Sequence, residues 1–230
     1  MNEYVSRIKD WPEQERPRER LMKFGPDALS DSELLGILLR IGNHQNSAMD
    51  LARRLLSTFG GLRGLDTQPA SALCQVNGIG MAKAAQIKAA LELAKRLVQQ
   101  KWTSQKQINS SEDAYSYIHL RMRDLSREEF KVLFLTMRNE ILAEKTLFEG
   151  GLAESVVSPR EIILSSLQLS AASVILLHNH PSGNPHPSKE DRRVTEKIVT
   201  ACRYADIKVL DHIIIGKDSY FSFADEGLIN

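Results

Sequence analysis

Cysteine, aromatic residues and net charge are all scarce in this chain: two cysteines in 230 residues, 6% aromatics and a formal charge of +1. Cys74 and Cys202 can build neither a disulfide framework nor a thiolate metal site, so a reducing, cytoplasmic setting is expected. No apolar run approaches the roughly 20 residues of a membrane span. The longest ends at Leu177 in Ser173-Val174-Ile175-Leu176-Leu177, the length of a buried strand. Met1 to Glu15 is acidic and polar, without the hydrophobic stretch of an export signal, so neither membrane nor secretion is expected. The rest of the composition, 42% hydrophobic and 26% charged, supports a packed core and excludes intrinsic disorder. The length suits one large domain or two small ones. Charge is unevenly divided, with 15 Lys+Arg against 11 Asp+Glu in residues 1–101 and 15 against 18 in residues 102–230. A basic front half is compatible with nucleic-acid contact there.

The front half reads as helix throughout. Arg16 to Lys23 precedes Gly25, a helix stop. Ser30-Asp31-Ser32-Glu33 is a capping box ahead of Leu34, Leu35, Ile37, Leu38 and Leu39. Ser47 caps a third helix whose Met49, Ala52, Leu55, Leu56 and Phe59 form an apolar stripe before Gly60-Gly61. A long helix is expected from Met81 to about Gln100, and polar Thr103 to Ser110 as a linker. Beyond it the pattern becomes strands interleaved with helices. Strands are expected at Phe130–Leu135, Ile141–Phe148, Val174–His178, Ile207–Ile215 and Tyr220–Phe223, with helices at Pro159–Leu169 and Ser188–Tyr204. Such interleaving with hairpins indicates an α/β domain with a mixed sheet. The expected organisation is a helical domain over 1–101, a linker over 102–110 and an α/β domain over 108–230.

Val76-Asn77-Gly78-Ile79-Gly80, followed by Lys83, has the shape of a helix-hairpin-helix within residues 70–100. Gly78 and Gly80 permit the positive backbone angles of a tight turn and let a phosphate approach the first amides of the next helix. With Lys83 beside them, they are candidates for a non-specific contact to the DNA backbone. The same glycines could equally serve close helix packing.

The strongest chemistry lies in His178-Asn179-His180-Pro181-Ser182-Gly183-Asn184-Pro185-His186-Pro187-Ser188-Lys189-Glu190-Asp191. His178 and His180 are two apart at a strand end, which puts both imidazoles on one face. Asp191 falls in the first turn of the next helix, where it can fold back towards them. Two nitrogens and one carboxylate suit one Zn²⁺ per chain and leave a fourth position for water. His186, between two prolines, is assigned to solvent or to the edge of the substrate site.

The pattern His178-x-His180, Ser188 and Asp191 resembles the JAMM motif of JAB/MPN-domain metalloproteases. Together with His178–Gly183 read as HNHPSG, Asp211-His212-Ile213-Ile214-Ile215-Gly216 and Arg16-Pro17-Arg18-Glu19-Arg20, the chain resembles the RadC family, the UPF0758 group. That resemblance implies a cytidine deaminase-like mixed-sheet MPN/JAMM domain behind a small all-α domain, and a zinc metalloprotease or isopeptidase acting on a peptide or isopeptide amide. It also implies a Glu before an early strand as general acid/base. Glu128 and Glu129 both stand there, on opposite faces, and the family pattern favours Glu128. Ser188 would donate to the oxygen on which charge develops. Asp211 and His212 are placed beside the site, Asp211 to hold a ligand imidazole by its second ring nitrogen, His212 equally suited to being a buried, hydrogen-bonded strand residue. The alternative reading is a DNA repair or recombination factor that binds or acts on DNA without peptidase activity.

Overall fold

Three serine-headed capping boxes set where helices begin, and all three form in the computed structural model. Ser30 with Glu33, Ser47 with Asp50 and Ser188 with Asp191 each exchange side-chain and backbone hydrogen bonds at a helix start, a local device worth about 1 kcal/mol. The structure describes residues 8–105, 107–150 and 157–229, and only the backbone of 99–105. Residues 1–7 of the polar leading segment and residue 106 of the expected linker lie outside the described residues.

The described chain divides into two compact units between Leu97 and Val98. The first is helical: α1 (Pro17–Phe24), α2 (Asp31–Leu39), α3 (Ala48–Phe59), α4 (Leu62–Thr67), α5 (Ala70–Leu73) and the start of α6 (Met81–Gln105). Leu35, Leu51, Leu55, Leu65, Leu73 and Ile87 form its core. Gly60, left-handed at φ 73°, ends α3 where its sequence places a stop. Helix α4 follows at once, in a stretch of the helical half to which no individual helix was assigned. Helix α6 runs past Gln100 to Gln105, into the segment expected as linker. The other end of that segment is structured too, since Gln107 bridges to Glu140 and Ile108 is buried. Polar composition at Thr103–Ser110 therefore marked a helix end and a strand edge rather than a free connection.

The second unit is a five-stranded mixed sheet between helices. Its strands are β1 (Glu129–Leu135), β2 (Ile141–Glu149), β3 (Ser173–Asn179), β4 (Lys208–Ile215) and β5 (Tyr220–Ser222), in the order β2-β1-β3-β4-β5. Of these strands β3 and β4 run parallel, and the connection between them is a helix rather than a turn, α9 (Lys189–Tyr204). Between β2 and β3 lies α8 (Pro159–Leu169), with Pro159 in its first turn as expected.

Every residue of β3 is buried, because both faces are covered. Phe130, Val132, Val174 and Leu176 pack towards Ile162 of α8 and Ile198 of α9. Leu133, Ile175, Leu177 and Ile213 pack on the other face against α7 (Ser111–Met122). Helix α7 escaped the sequence reading. Its signals were Ser110, which caps Asp113, and the buried four-residue repeat Ala114, Ile118, Met122.

Candidate metal centre

The site forms where β3 ends and α9 begins. Parallel β3 and β4 both point their C-terminal ends here, the edge at which ligands bind in open α/β sheets. His178 is the penultimate residue of β3 and His180 follows the strand, held by its N–H to the Ile215 carbonyl at 3.0 Å. The chain then turns through Gly183, at φ 82°, and re-enters helix at Ser188. Asp191 is the third residue of α9. Its Oδ2 accepts the Ser188 N–H at 2.7 Å while the Ser188 hydroxyl oxygen accepts the Asp191 N–H at 3.1 Å. The capping box that starts the helix is thus also what aims Asp191 back at the strand.

His178, His180 and Asp191 converge as the residue spacing predicts, each offering one ligand atom within 4.8 Å of the others. The two Nε2 atoms are 3.0 Å apart. His178 Nε2 is 3.2 Å from Asp191 Oδ1, and His180 Nε2 is 3.4 Å from Oδ2. Ligands about 2.0–2.1 Å from a tetrahedral zinc stand roughly 3.3 Å from one another. The donor set and its spacing therefore fit Zn²⁺.

Hydrogen bonding behind the rings settles which nitrogen carries each proton. Thr195 donates its hydroxyl to the Asp191 carbonyl at 2.6 Å. Its oxygen is left to accept from His212 Nδ1, also at 2.6 Å. His212 Nε2 must then accept from His178 Nδ1 at 2.7 Å, which leaves the His178 Nε2 lone pair facing the site. His180 Nδ1 meets the Asn184 carbonyl at 2.7 Å, so the neutral ring likewise presents Nε2. Two lone pairs and a carboxylate aimed at one point call for a positive charge among them.

The electrostatics agree. Burial pushes the pKa of His178 down, against the pull of Asp191. Burial, reinforced by the neighbouring His178, holds His212 well below the ordinary histidine value. Both are therefore neutral near pH 7. For His180, burial is outweighed by Asp191, the Asn184 carbonyl and Glu128, and its pKa rises. Burial alone would raise Asp191, but the neighbouring imidazoles and Ser188 hold its carboxyl far below the carboxylate range.

Of the two glutamates at the head of β1, Glu128 is the one whose charge acts on both His178 and His180. Glu129 is turned away and pairs with Lys131 at 3.0 Å. Next to it Phe130 is buried and stacks on His178, with ring centroids 6.0 Å apart. Ser188 is at the rim, and a hydroxyl that accepts in a cap can still donate its own proton outward. His186 is exposed with its ring edge near Phe221, as its place between prolines suggested.

Asp211 requires a correction. It was a candidate to hold a ligand imidazole, but it projects from the other face of β4 into contacts of its own. It accepts from the His212 and Ala224 amides and from the Ser222 hydroxyl. Neighbours in a strand face opposite ways, so Asp211 and His212 could never both back the site. Thr195, the far end of the relay, went unrecognised. Its only local signal is its place one turn after Asp191 on α9.

The glycine hairpin is arranged differently. Gly78 adopts φ +96°, and a Cβ there would strike the Asn43 side chain at 2.5 Å and Leu51 at 2.9 Å. Gly80 has open space where a side chain would be. Lys83, expected to face a phosphate, instead donates to the carbonyls of Gly42 at 3.3 Å and Gly78 at 3.0 Å. Lys88 is likewise drawn to the Asp66 and Gln68 carbonyls.

Comparison with known proteins agrees with this two-part reading. Residues 8–85 match the family model described as UPF0758 N-terminal, and residues 108–228 match the one described as RadC-like JAB domain. A UPF0758 protein of Methanosarcina mazei is 48% identical over 97% of both chains. Another, of Geotalea uraniireducens, is 46% identical over 96% of this chain and 98% of its own. A third, of Geobacillus sp. strain WCH70, is 43% identical over 96% and 98%. Among the described residues no helix is long and apolar enough to cross a membrane. The chain belongs to the UPF0758 family, and its second unit is a RadC-like JAB domain of the MPN/JAMM hydrolase type.

Proposed function

We propose that the chain is a zinc-dependent hydrolase of peptide or isopeptide amides, with His178, His180 and Asp191 as ligands. The observation that carries this reading is the convergence of two imidazole lone pairs and a carboxylate at zinc-like spacing, with proton positions set from behind. Held by His178, His180 and Asp191, Zn²⁺ would supply Lewis acidity to polarise the carbonyl and to make water reactive near neutral pH. The remaining work belongs to the chain. Glu128 accepts the proton of the attacking water and returns it to the departing amine, so water is divided between the new carboxylate and the new amine. Ser188 donates its hydroxyl to the carbonyl oxygen as negative charge builds there. Asp191 is kept ionised by its histidine partners, and the Thr195–His212 relay keeps the His178 lone pair inward.

The test is zinc analysis of the whole protein together with hydrolysis of unfolded casein and of an ε-lysyl isopeptide, each with and without chelator. Stoichiometric zinc and chelator-sensitive cleavage are expected. Glu128→Gln keeps the zinc and loses turnover, whereas His178→Ala loses both. Equal turnover in the wild type and Glu128→Gln overturns the assignment. Chelator-sensitive cleavage of nicked or branched DNA, with both amides untouched, would favour a repair nuclease instead.

A further inference from the structure

We infer that Asn179, the residue between the two histidine ligands, is the positioning residue for Glu128. The inference rests on the hydrolase reading above for what Glu128 does, but not for where it is held.

Antiparallel pairing of β1 with β3 puts Phe130 opposite His178 and ends there. Continued by two residues, the register would place Glu129 opposite Asn179 and Glu128 opposite His180. The main-chain ladder between β1 and β3 stops at that pair, while β3 keeps its pairing with β4 on the opposite edge. Asn179 pairs with Ile215, and the His180 N–H bonds to the Ile215 carbonyl. The Asn179 side chain takes over as a peptide surrogate. Its Oδ1 accepts the Glu129 N–H at 2.8 Å, and its Nδ2 donates to the Arg127 carbonyl at 3.0 Å.

Those two groups belong to the peptide planes on either side of the Glu128 Cα. Fixing both planes fixes φ and ψ of the residue between them. From the β2 side, the Gly150 N–H bonds to the Glu128 carbonyl at 2.8 Å, securing the second plane again. Asn179 is 1% exposed, so water does not compete for its bonds. One three-residue stretch thus carries both histidine ligands and the clamp on the general base. The separation of base and ligands is thereby set through two covalently adjacent residues rather than through packing. Only an amide of this length does so. Aspartate lacks the donor for Arg127 and adds a negative charge beside Glu128, glutamine is one methylene too long, and leucine fills the space with neither bond.

The test uses the full-length, zinc-loaded protein as wild type, Asn179→Leu, Asn179→Asp, Glu128→Gln and the double variant Glu128→Gln/Asn179→Leu. Three readings are taken: zinc affinity, amide hydrogen exchange at Glu129, and kcat and KM on the ε-lysyl isopeptide. For Asn179→Leu, zinc affinity and KM should stay near wild type, and Glu129 exchange should accelerate. Its kcat should fall on the order of 10²-fold, the scale set by misplacing a catalytic group by about 1 Å. Adding Asn179→Leu to Glu128→Gln should lower turnover no further. If Asn179→Leu does not fold, Asn179→Asp, which keeps the Glu129 acceptor, should show the same kcat-selective loss. Zinc affinity falling in step with turnover would overturn the proposal by assigning Asn179 to the ligands. Unchanged kcat with accelerated Glu129 exchange would overturn it too. If the wild type cleaves neither amide, the hydrolase reading fails by itself. The clamp is then decided by the Glu129 amide, and exchange no faster in Asn179→Leu than in wild type refutes it.

Discussion

The glycine hairpin of the first unit and the histidine turn of the second are both short motifs rich in turn residues, each followed by a helix start. They differ in where their polar atoms go. In the hairpin, Lys83 and Lys88 turn back onto backbone carbonyls, and Gly78 is needed because Asn43 and Leu51 leave no room for a side chain. In the histidine turn, the backbone groups are satisfied by Asn184, Ile215 and the Ser188 box. The side-chain nitrogens and the carboxylate remain directed at a shared point. A motif becomes a site when its own fold does not absorb its donors and acceptors, and by that measure the two units diverge.

The comparison breaks most decisively at the ligands. His178→Ala should reduce zinc affinity by more than the roughly 10–100-fold that loss of an outer partner costs, as read by competition with a chromophoric chelator. Glu128→Gln should bind zinc as the wild type does while turnover falls about 10²–10⁴-fold. Behind the ligands, His212→Ala or Thr195→Val should weaken zinc about 10–100-fold. Asp211→Asn should leave zinc affinity unchanged, since its carboxylate holds Ser222 at the end of β5 and the Ala224 amide beyond it. A loss with Asp211→Asn equal to that with His212→Ala would refute the relay.

Acid should act in a definite direction. His180 has its pKa raised in the folded protein, and zinc must displace that proton. Zinc affinity should therefore begin to fall while the pH is still above the ordinary histidine value of about 6.5, and drop about tenfold per pH unit for each proton displaced. Affinity flat from pH 8 to 6 would contradict it.

The smallest effect is expected in the first unit. Lys83→Met removes two carbonyl contacts made by a half-buried ammonium, whose pKa is lowered by desolvation. It should cost about 1 kcal/mol in urea unfolding. If the full chain shifts duplex DNA, the salt dependence should not change with Lys83→Met. A slope reduced by about one would restore Lys83 as a phosphate contact.

Much of this was legible because it is local. A capping box needs four residues, the face shared by His178 and His180 needs three, and the buried run of β3 needs five. Asp191 could be placed because its distance from Ser188 is the first turn of a helix. What escaped had weak local patterns or distant partners. Helix α7 hides its apolar repeat among charged and aromatic residues, and the polar segment after Gln100 conceals a continuing helix. Asp211 and His212 are equally good outer partners by residue type, and strand alternation admits only one, without saying which. Thr195 and Asn179 are small polar residues whose partners lie 17 residues and about 50 residues away.

The amino-acid order alone determined most of the helices and strands, the candidate ligand trio and the spacing that lets it converge, because each depends on backbone periodicity within one or two neighbouring elements. Tertiary structure alone decided which glutamate faces the histidines, which of Asp211 and His212 backs them, and that Lys83 turns inward. Those choices depend on which strand lies beside which and on which carbonyls a folded neighbour leaves within reach. Pairing and packing across the sheet create that information, and no local stretch of residues contains it.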